Sequence, residues 1–248
     1  MDLSKFQFIN QMIPHGVFFN KLLVDLSKYK IKDIKIGEGS YGEVHEAIRP
    51  ADSKHPEMRC AVKYLAAGQI KTKEDQKHFH SEVACQYSLN HPTILPLIGY
   101  TFPFQGRGRY AIITQFMPNG SLLQLNNKVE SGQAPDDWET IKAINIFGIA
   151  AGMAYIHQHD IIHRDLKSDN VLLDENYYPK IADFGFSKVF EEGTQNQINQ
   201  TINVGTPVYL PPEIIVDHDC HYSNKIDVFA YSIILYELTT QHRPWYDK

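Results

Sequence analysis

Residues 162–173 read Ile162-His163-Arg164-Asp165-Leu166-Lys167-Ser168-Asp169-Asn170-Val171-Leu172-Leu173, and this stretch decides the fold. It sets an acid, two bases and an amide in a loop between a helical pattern and a β-type run. Soon after comes Ile181-Ala182-Asp183-Phe184-Gly185, an aspartate after an apolar strand, followed by an aromatic ring and a glycine. Such an aspartate on a movable hinge suits a divalent metal ion, because hard cations take oxygen donors. Each stretch alone also reads as a capped turn.

Two upstream features narrow the choice. Gly37-Glu38-Gly39-Ser40-Tyr41-Gly42-Glu43-Val44 has the glycine spacing of a phosphate-binding turn. A dinucleotide site needs strand, turn and then helix, whereas β-type residues (Val44, Ile48) follow here. The glycines therefore belong to a hairpin, where bare backbone N–H groups can approach phosphate. A purely structural turn fits the same residues. Further on, Ala61-Val62-Lys63 sets a lysine inside an apolar strand, Cys60 to Leu65. Burying that ammonium requires an anion. Glu82, in the helical pattern that follows, can supply one and a phosphate the other. A lysine reaching out to solvent is the plain alternative.

The rest of the chain orders itself around these motifs. After the turn-rich stretch Pro50 to Pro56 come the strand, then a helix over Thr72 to Asn90 with Phe79, Val83, Tyr87 and Leu89 as its apolar positions. Short strands are predicted around Leu95 to Tyr100 and Arg109 to Gln115. Met117-Pro118-Asn119-Gly120 is a turn, taken as the boundary between two lobes sharing a cleft. Beyond it, Asp136 or Asp137 caps a helix running to about His159, with Ile141, Ile144, Gly148, Ala151 and Tyr155 on one face. Asp227 to Thr240 is a second apolar helix. A strand-rich first part and a helix-rich second part predict an α+β protein.

The bulk composition excludes several classes. The 248 residues are 43% hydrophobic and 21% charged, ordinary for a globular protein. A net charge of −5 argues against non-specific nucleic-acid binding. Three scattered cysteines (Cys60, Cys85, Cys220) form neither a disulfide framework nor a zinc spacing and read as free thiols of a reducing cytoplasm. The Asn-x-Ser/Thr triplets at Asn119 and Asn199 then carry no glycosylation meaning. The apolar stretch Val17 to Val24, interrupted by Lys21, is too short for a membrane span and lacks the flanks of a signal peptide. It reads as an extension packing on the domain, with docking to a partner as the alternative. His157, His159 and His163 cluster in sequence, and a structural role is expected rather than a metal site.

Taken in order, glycine hairpin, strand lysine, catalytic-type loop and metal-type loop resemble the eukaryotic protein kinase family, and the matching motifs run from Gly37 to Asp227. The resemblance implies a bilobal fold: an N-lobe (28–117) with a five-stranded antiparallel sheet and one helix, and a helical C-lobe (118–248), after an extension over 1–27. It also implies roles. Lys63, paired with Glu82, would hold the α- and β-phosphates of ATP. Asp165 would orient the substrate hydroxyl and accept its proton. Asn170 and Asp183 would bind Mg²⁺ (or Mn²⁺). The nucleotide site would comprise Ile36, Gly37, Gly39, Gly42, Val44, Ala61, Lys63 and Leu172, with Thr114 as gatekeeper and backbone groups of Gln115 and Met117 on the adenine edge.

Lys167 and the run Gly205-Thr206-Pro207-Val208-Tyr209-Leu210-Pro211-Pro212-Glu213 resemble the serine/threonine kinases. Thr206 would bond Asp165 and Lys167. Lys167-Ser168-x-Asn170 and Pro118-Asn119-Gly120-Ser121-Leu122 are most similar to the tyrosine-kinase-like group. Arg164 before the aspartate implies control by activation-loop phosphorylation at Thr194 or Thr201, by an upstream kinase or by the protein itself.

Four departures from the family pattern stand out. Gln86 takes a regulatory-spine position usually apolar, beside Leu97, His163 and Phe184. Pro211 replaces an alanine. Phe229 replaces a tryptophan. The chain reaches Lys248 just after Arg243-Pro244-Trp245, which implies a C-lobe lacking its last helices, apolar surface on the 227–240 helix and no ion partner for Glu213. A kinase-like binding or scaffold module is therefore the alternative to an active enzyme.

Overall fold

Gly39 and Gly42 oppose each other at the tip of the first hairpin, between β1 (Lys30–Gly39) and β2 (Gly42–Arg49). Gly42 has φ 136°, and a Cβ there would lie 1.8 Å from the Tyr64 carbonyl oxygen, so only glycine lets the hairpin tip lie against the next strand. The computed structural model describes residues 21–39, 42–53, 55–66, 68–103, 108–189, 206–216 and 223–244. These described residues fall into two compact units, the first holding those up to 88 and those between 96 and 116, the second those of 89–95 and from 117 onward.

The first unit is an antiparallel five-stranded sheet in the order β1-β2-β3-β5-β4, with β3 (Met58–Leu65), β4 (Leu97–Thr101) and β5 (Ala111–Gln115). Alternation along the strands separates two faces. One buries Ala47, Cys60, Val62, Ala111 and Ile113. On the other, Ile112 and Tyr100 pack with Phe79 and Val83 of helix α1 (Lys73–Ser88). Thr72 and Asp75 start α1 by capping each other: the Asp75 carboxylate accepts from the Thr72 N–H at 2.8 Å, and Thr72 Oγ1 accepts from the Asp75 N–H at 3.1 Å. The predicted helix face is corrected at one position. Tyr87 is exposed, while Cys85 and Gln86 are buried, because the helix face against the sheet turns with the 3.6-residue period.

The second unit is mainly helical: α2 (Leu122–Glu130), α3 (Trp138–Gln158), α4 (Pro212–Val216) and α5 (Lys225–Thr240). It also holds two short ribbons, β6 (Ile161–Ile162) with β9 (Lys188–Val189) and β7 (Val171–Leu173) with β8 (Pro179–Ile181). Ser121 and Gln124 form a capping box at α2. Asp137 stands at the N-cap of α3 but makes no side-chain cap bond, contrary to expectation. The expected face of α3 is also shifted. Ala151 is exposed, and Trp138, Ile141, Asn145, Ile149, Gly152, Met153 and Ile156 are buried. The face follows Ile141, Ile149, Met153 and Ile156 at helical spacing, and Asn145 is accommodated on it because its amide donates to Ile141 O at 2.9 Å and Tyr177 O at 3.0 Å.

Helix α5 buries Ile226, Asp227, Ala230, Ile233, Ile234, Glu237 and Leu238, and it exposes Val228 and Tyr236. Among the described residues, no helix is long and apolar enough to cross a membrane.

Candidate active site

The site residues fall in both units, and each set has its own geometry. In the first unit, Lys63 sits in the middle of β3, opposite Val44 on β2 and Ile112 on β5. Its Nζ lies 3.5 Å from Glu82 Oε1, with both side chains largely buried. The strand lysine thus has its anion one helix away, which offsets the desolvation of its ammonium. Ala61 pairs with Thr114, and the two-residue alternation puts Val44, Ala61, Lys63 and Thr114 on one face of the sheet. Gly37 pairs with Val44 on the hairpin, while Ile36 beside it is largely exposed. The Gln115 N–H donates to Pro96 O at 3.1 Å, so of its two backbone groups only the carbonyl is a candidate for a base edge.

An ion cluster braces the same hairpin. Glu43 accepts from Arg109 and lies 3.1 Å from Lys35 Nζ, and these hydrogen bonds hold its carboxyl down to about 2. The Arg109 guanidinium also stacks 4.7 Å over the Tyr64 ring and donates to Leu65 O at 3.1 Å. None of this was read from the sequence, since Glu43 and Arg109 are 66 positions apart.

In the second unit, the loop after β6 is anchored from beneath by α5. Asp227, 1% exposed, accepts from the His163 N–H at 2.8 Å and the Arg164 N–H at 2.9 Å, and lies 2.9 Å from His157 Nε2. These bonds fix the backbone just ahead of Asp165, where Arg164 takes the left-handed φ of 67°. The Arg164 side chain donates to Phe186 O.

Asp165 is buried and reads as a fully braced carboxylate. Lys167 Nζ donates to Oδ2 at 2.8 Å and the Asn170 amide to the same oxygen at 3.0 Å. Thr206 Oγ1 donates to Oδ1 at 3.3 Å and accepts from Lys167 Nζ at 2.9 Å. Lys167 is therefore held between the acid and the threonine, as a cation aimed at one point.

Both amide N–H bonds of Asn170 go to Asp165, to its Oδ2 and, at 2.8 Å, to its main-chain oxygen. That fixes the amide and turns both of its N–H groups toward Asp165. Asp183 holds the left-handed φ of 64°, just past β8, where Ala182 N–H donates to Asn170 O at 2.8 Å. The loops of Asn170 and Asp183 are thus bonded to each other. An amide oxygen and a carboxylate are hard donors that suit Mg²⁺. Among the described residues no three His, Cys, Asp or Glu side chains cluster to hold an ion; a Mg²⁺ at Asn170 and Asp183 would complete its shell with water or ligand oxygens.

Other predicted positions are less exposed to ligand. Leu172 lines a small cluster with Leu95, Met117 and Ala182. His163 Nε2–H donates to Ala182 O at 3.0 Å and the ring packs against that of Phe184 at 5.2 Å, so it is structural. Glu213 is exposed on α4. Thr194 and Thr201 lie outside the described residues. Sequence reading missed the support beneath the loop, namely Asp227, Tyr209 and Glu237. The available signal was chemical: acids inside a helix as apolar as α5 must be buried and partnered.

Comparison with known proteins agrees with this geometry. The protein kinase domain model matches residues 30–248. A Dictyostelium discoideum protein named a probable serine/threonine-protein kinase is 32% identical over 229 residues, 92% of this chain and 23% of the relative. The probable serine/threonine-protein kinase PBL20 of Arabidopsis thaliana is 32% identical over 238 residues, 94% of this chain and 58% of its own. The L-type lectin-domain containing receptor kinase I.3 of the same plant is 30% identical over 234 residues, 93% of this chain and 32% of its own. The chain thus spans between about a quarter and three-fifths of these relatives. With a five-stranded sheet carrying the Lys63–Glu82 pair and a helical unit carrying the braced Asp165, this chain belongs to the protein kinase family.

Proposed function

We propose that this domain transfers the γ-phosphate of ATP to serine or threonine hydroxyls of proteins. The observation that carries the reading is the Asp165–Lys167–Thr206 cluster, with hydrogen bonds of 2.8, 2.9 and 3.3 Å. An acid held by a cation and a hydroxyl suits a hydroxyl nucleophile: the carboxylate orients it and takes its proton, while Lys167 meets the developing phosphate charge. Lys63, steadied by Glu82, supplies a second cation for phosphate. Bound Mg²⁺ at Asn170 and Asp183 would offset phosphate charge. Every other contribution is positioning, which is most of what phosphoryl transfer requires.

The serine/threonine preference is supported by Lys167 and by the bonding of Thr206. Its test is phosphoamino-acid analysis of a generic substrate after incubation with labelled ATP. Phosphoserine and phosphothreonine are expected, and phosphotyrosine alone would overturn the assignment.

The finer assignments belong to the same reading. Membership of the tyrosine-kinase-like group rests on Lys167-Ser168-x-Asn170 and Pro118 to Leu122. Adenine would be held by Ile36, Val44, Ala61 and Leu172, with Gly37, Gly39 and Gly42 near the phosphates, Thr114 as gatekeeper, and backbone of Gln115 and Met117 on the base edge. Phosphorylation at Thr194 or Thr201 would bring an anion to Arg164. Mass spectrometry of active protein with neither threonine modified would remove that regulatory idea. Free, buried Cys60 and Cys85 support a reducing, cytoplasmic setting.

A further inference from the structure

Residues 22–24 precede the region matched by the family model, which begins at residue 30. They are nonetheless bonded to the first unit. The Tyr100 N–H donates to Leu22 O at 2.8 Å, and the Val24 N–H donates to Tyr100 O at 3.0 Å. Leu23 and Tyr100 thus form a parallel bridge on the outer edge of β4, the last strand of the antiparallel sheet, which pairs with no further named strand among the described residues. Leu22 is buried and shares one apolar cluster with Phe79, Val83, Tyr100 and Ile112.

Phe79 and Val83 stand one turn apart on α1, and Glu82 adjoins Val83 on the same helix. The segment therefore joins the apolar cluster that holds the helix carrying the partner of Lys63. Gly99 leaves the room for it: a Cβ there would fall 2.5 Å from Leu22 O and 2.6 Å from Val24 Cγ1. Backbone and a branched side chain cannot both retreat from that Cβ while the two hydrogen bonds to Tyr100 persist.

We propose that residues 22–24 are a strap and that Leu22 is a positioning residue, setting α1 so that Glu82 reaches Lys63. The catalytic consequence rests on the kinase reading, whereas the grip on α1 does not. Three variants of the full chain test it: Leu22→Ala, which removes the Leu22 side chain from the cluster shared with Phe79 and Val83; Gly99→Ala, which expels the strap with its residues intact; and Leu22→Met, which keeps a side chain of similar volume there.

The first readout is amide hydrogen exchange. Both alanine variants are expected to speed exchange in α1 by about tenfold while β3 amides keep the wild-type rate, the pattern of local opening. The second readout is phosphoryl transfer. A fall of about tenfold in kcat is expected for both, without further loss in the double variant, since both changes act on one contact. Leu22→Met should restore both readouts to within about twofold.

Unchanged α1 exchange in Leu22→Ala and Gly99→Ala would overturn the proposal. So would equal acceleration in α1 and β3, which marks global destabilisation instead. A wild-type chain without transferase activity but with strap-dependent α1 exchange would refute the kinase reading and leave the strap. Full activity with unchanged exchange would do the reverse.

Discussion

Tyr209 donates its hydroxyl hydrogen to Glu237 Oε1 at 2.7 Å, joining the segment after Thr206 to helix α5 beneath the loop of Asp165. The same hydroxyl lies 2.9 Å from Ser168 Oγ, between Lys167 and Asn170 in the chain. A single buried phenol thus ties together the loop of Asp165, the segment of Thr206 and the helix of Asp227. Removing it leaves polar groups stranded in a dry interior, where each unsatisfied group destabilises by about 1–3 kcal/mol.

The carboxyl of Glu237 gives this network a pH signature. Burial raises it above its ordinary value of 4.5, against the hydrogen bonds from Tyr209 and Ser168; Asp169 raises it further and Arg243 lowers it. Between 4.5 and the raised value this carboxyl is therefore more protonated in the folded than in the unfolded state. Stability should fall as pH rises from 4.5 through the raised value, and the penalty should vanish below 4.5. Denaturant titrations of wild type and Glu237→Gln over this range check it. The variant should show a flatter pH slope, and identical slopes would contradict the burial of a titrating carboxyl.

Asp227 carries two backbone N–H groups and a histidine on one carboxylate. Asp227→Ala should destabilise the chain by about 3 kcal/mol, as expected when a buried, multiply bonded charge is removed. Urea denaturation measures it. The loss of activity should exceed the loss of folded protein, because the His163 and Arg164 amides are no longer held in front of Asp165.

Gly148 reverses an ordinary rule. Glycine to alanine inside a helix usually stabilises by about 1 kcal/mol. A Cβ at Gly148 would lie 2.6 Å from Cγ and 3.1 Å from Cδ of Pro179, a rigid ring at the start of β8. Gly148→Ala should therefore destabilise by about 1–2 kcal/mol, the range for overpacking. A raised melting temperature would contradict the packing of α3 on β8.

Thr206 separates orientation from charge. Thr206→Ala removes a donor to Asp165 and an acceptor for Lys167 and should lower kcat by about 10²-fold, comparable to losing one positioned polar group. Thr206→Ser should keep most of the rate. Equal rates for the alanine and serine variants would show that the hydroxyl does nothing in the reaction.

Much of this was legible in the residues. The hairpin of the glycines, the strand around Lys63 and the loop of Asp165 could be placed from local pattern, while the pairing of Lys63 with Glu82 and the roles in the loop came from the family resemblance. What stayed hidden depends on contacts between distant positions. Asn145 is buried on the core face of α3 because Tyr177 O, 32 positions away, accepts from its amide at 3.0 Å, a contact that no local pattern reveals. Leu89–Leu95 group with the second unit although they sit between α1 and β4, and no pattern in the chain marks that crossing. Leu22 looked like a generic apolar extension because nothing local reveals that Gly99 is its partner.

The central claim is that Asp165 acts as the catalytic base of a protein serine/threonine kinase. Its most direct test is ATP-dependent labelling of a generic protein by wild type and by Asp165→Asn, which keeps the size of the side chain but cannot accept the proton. Label on serine and threonine that falls by about 10³-fold in the variant is the predicted result. Equal labelling by the two proteins would contradict it.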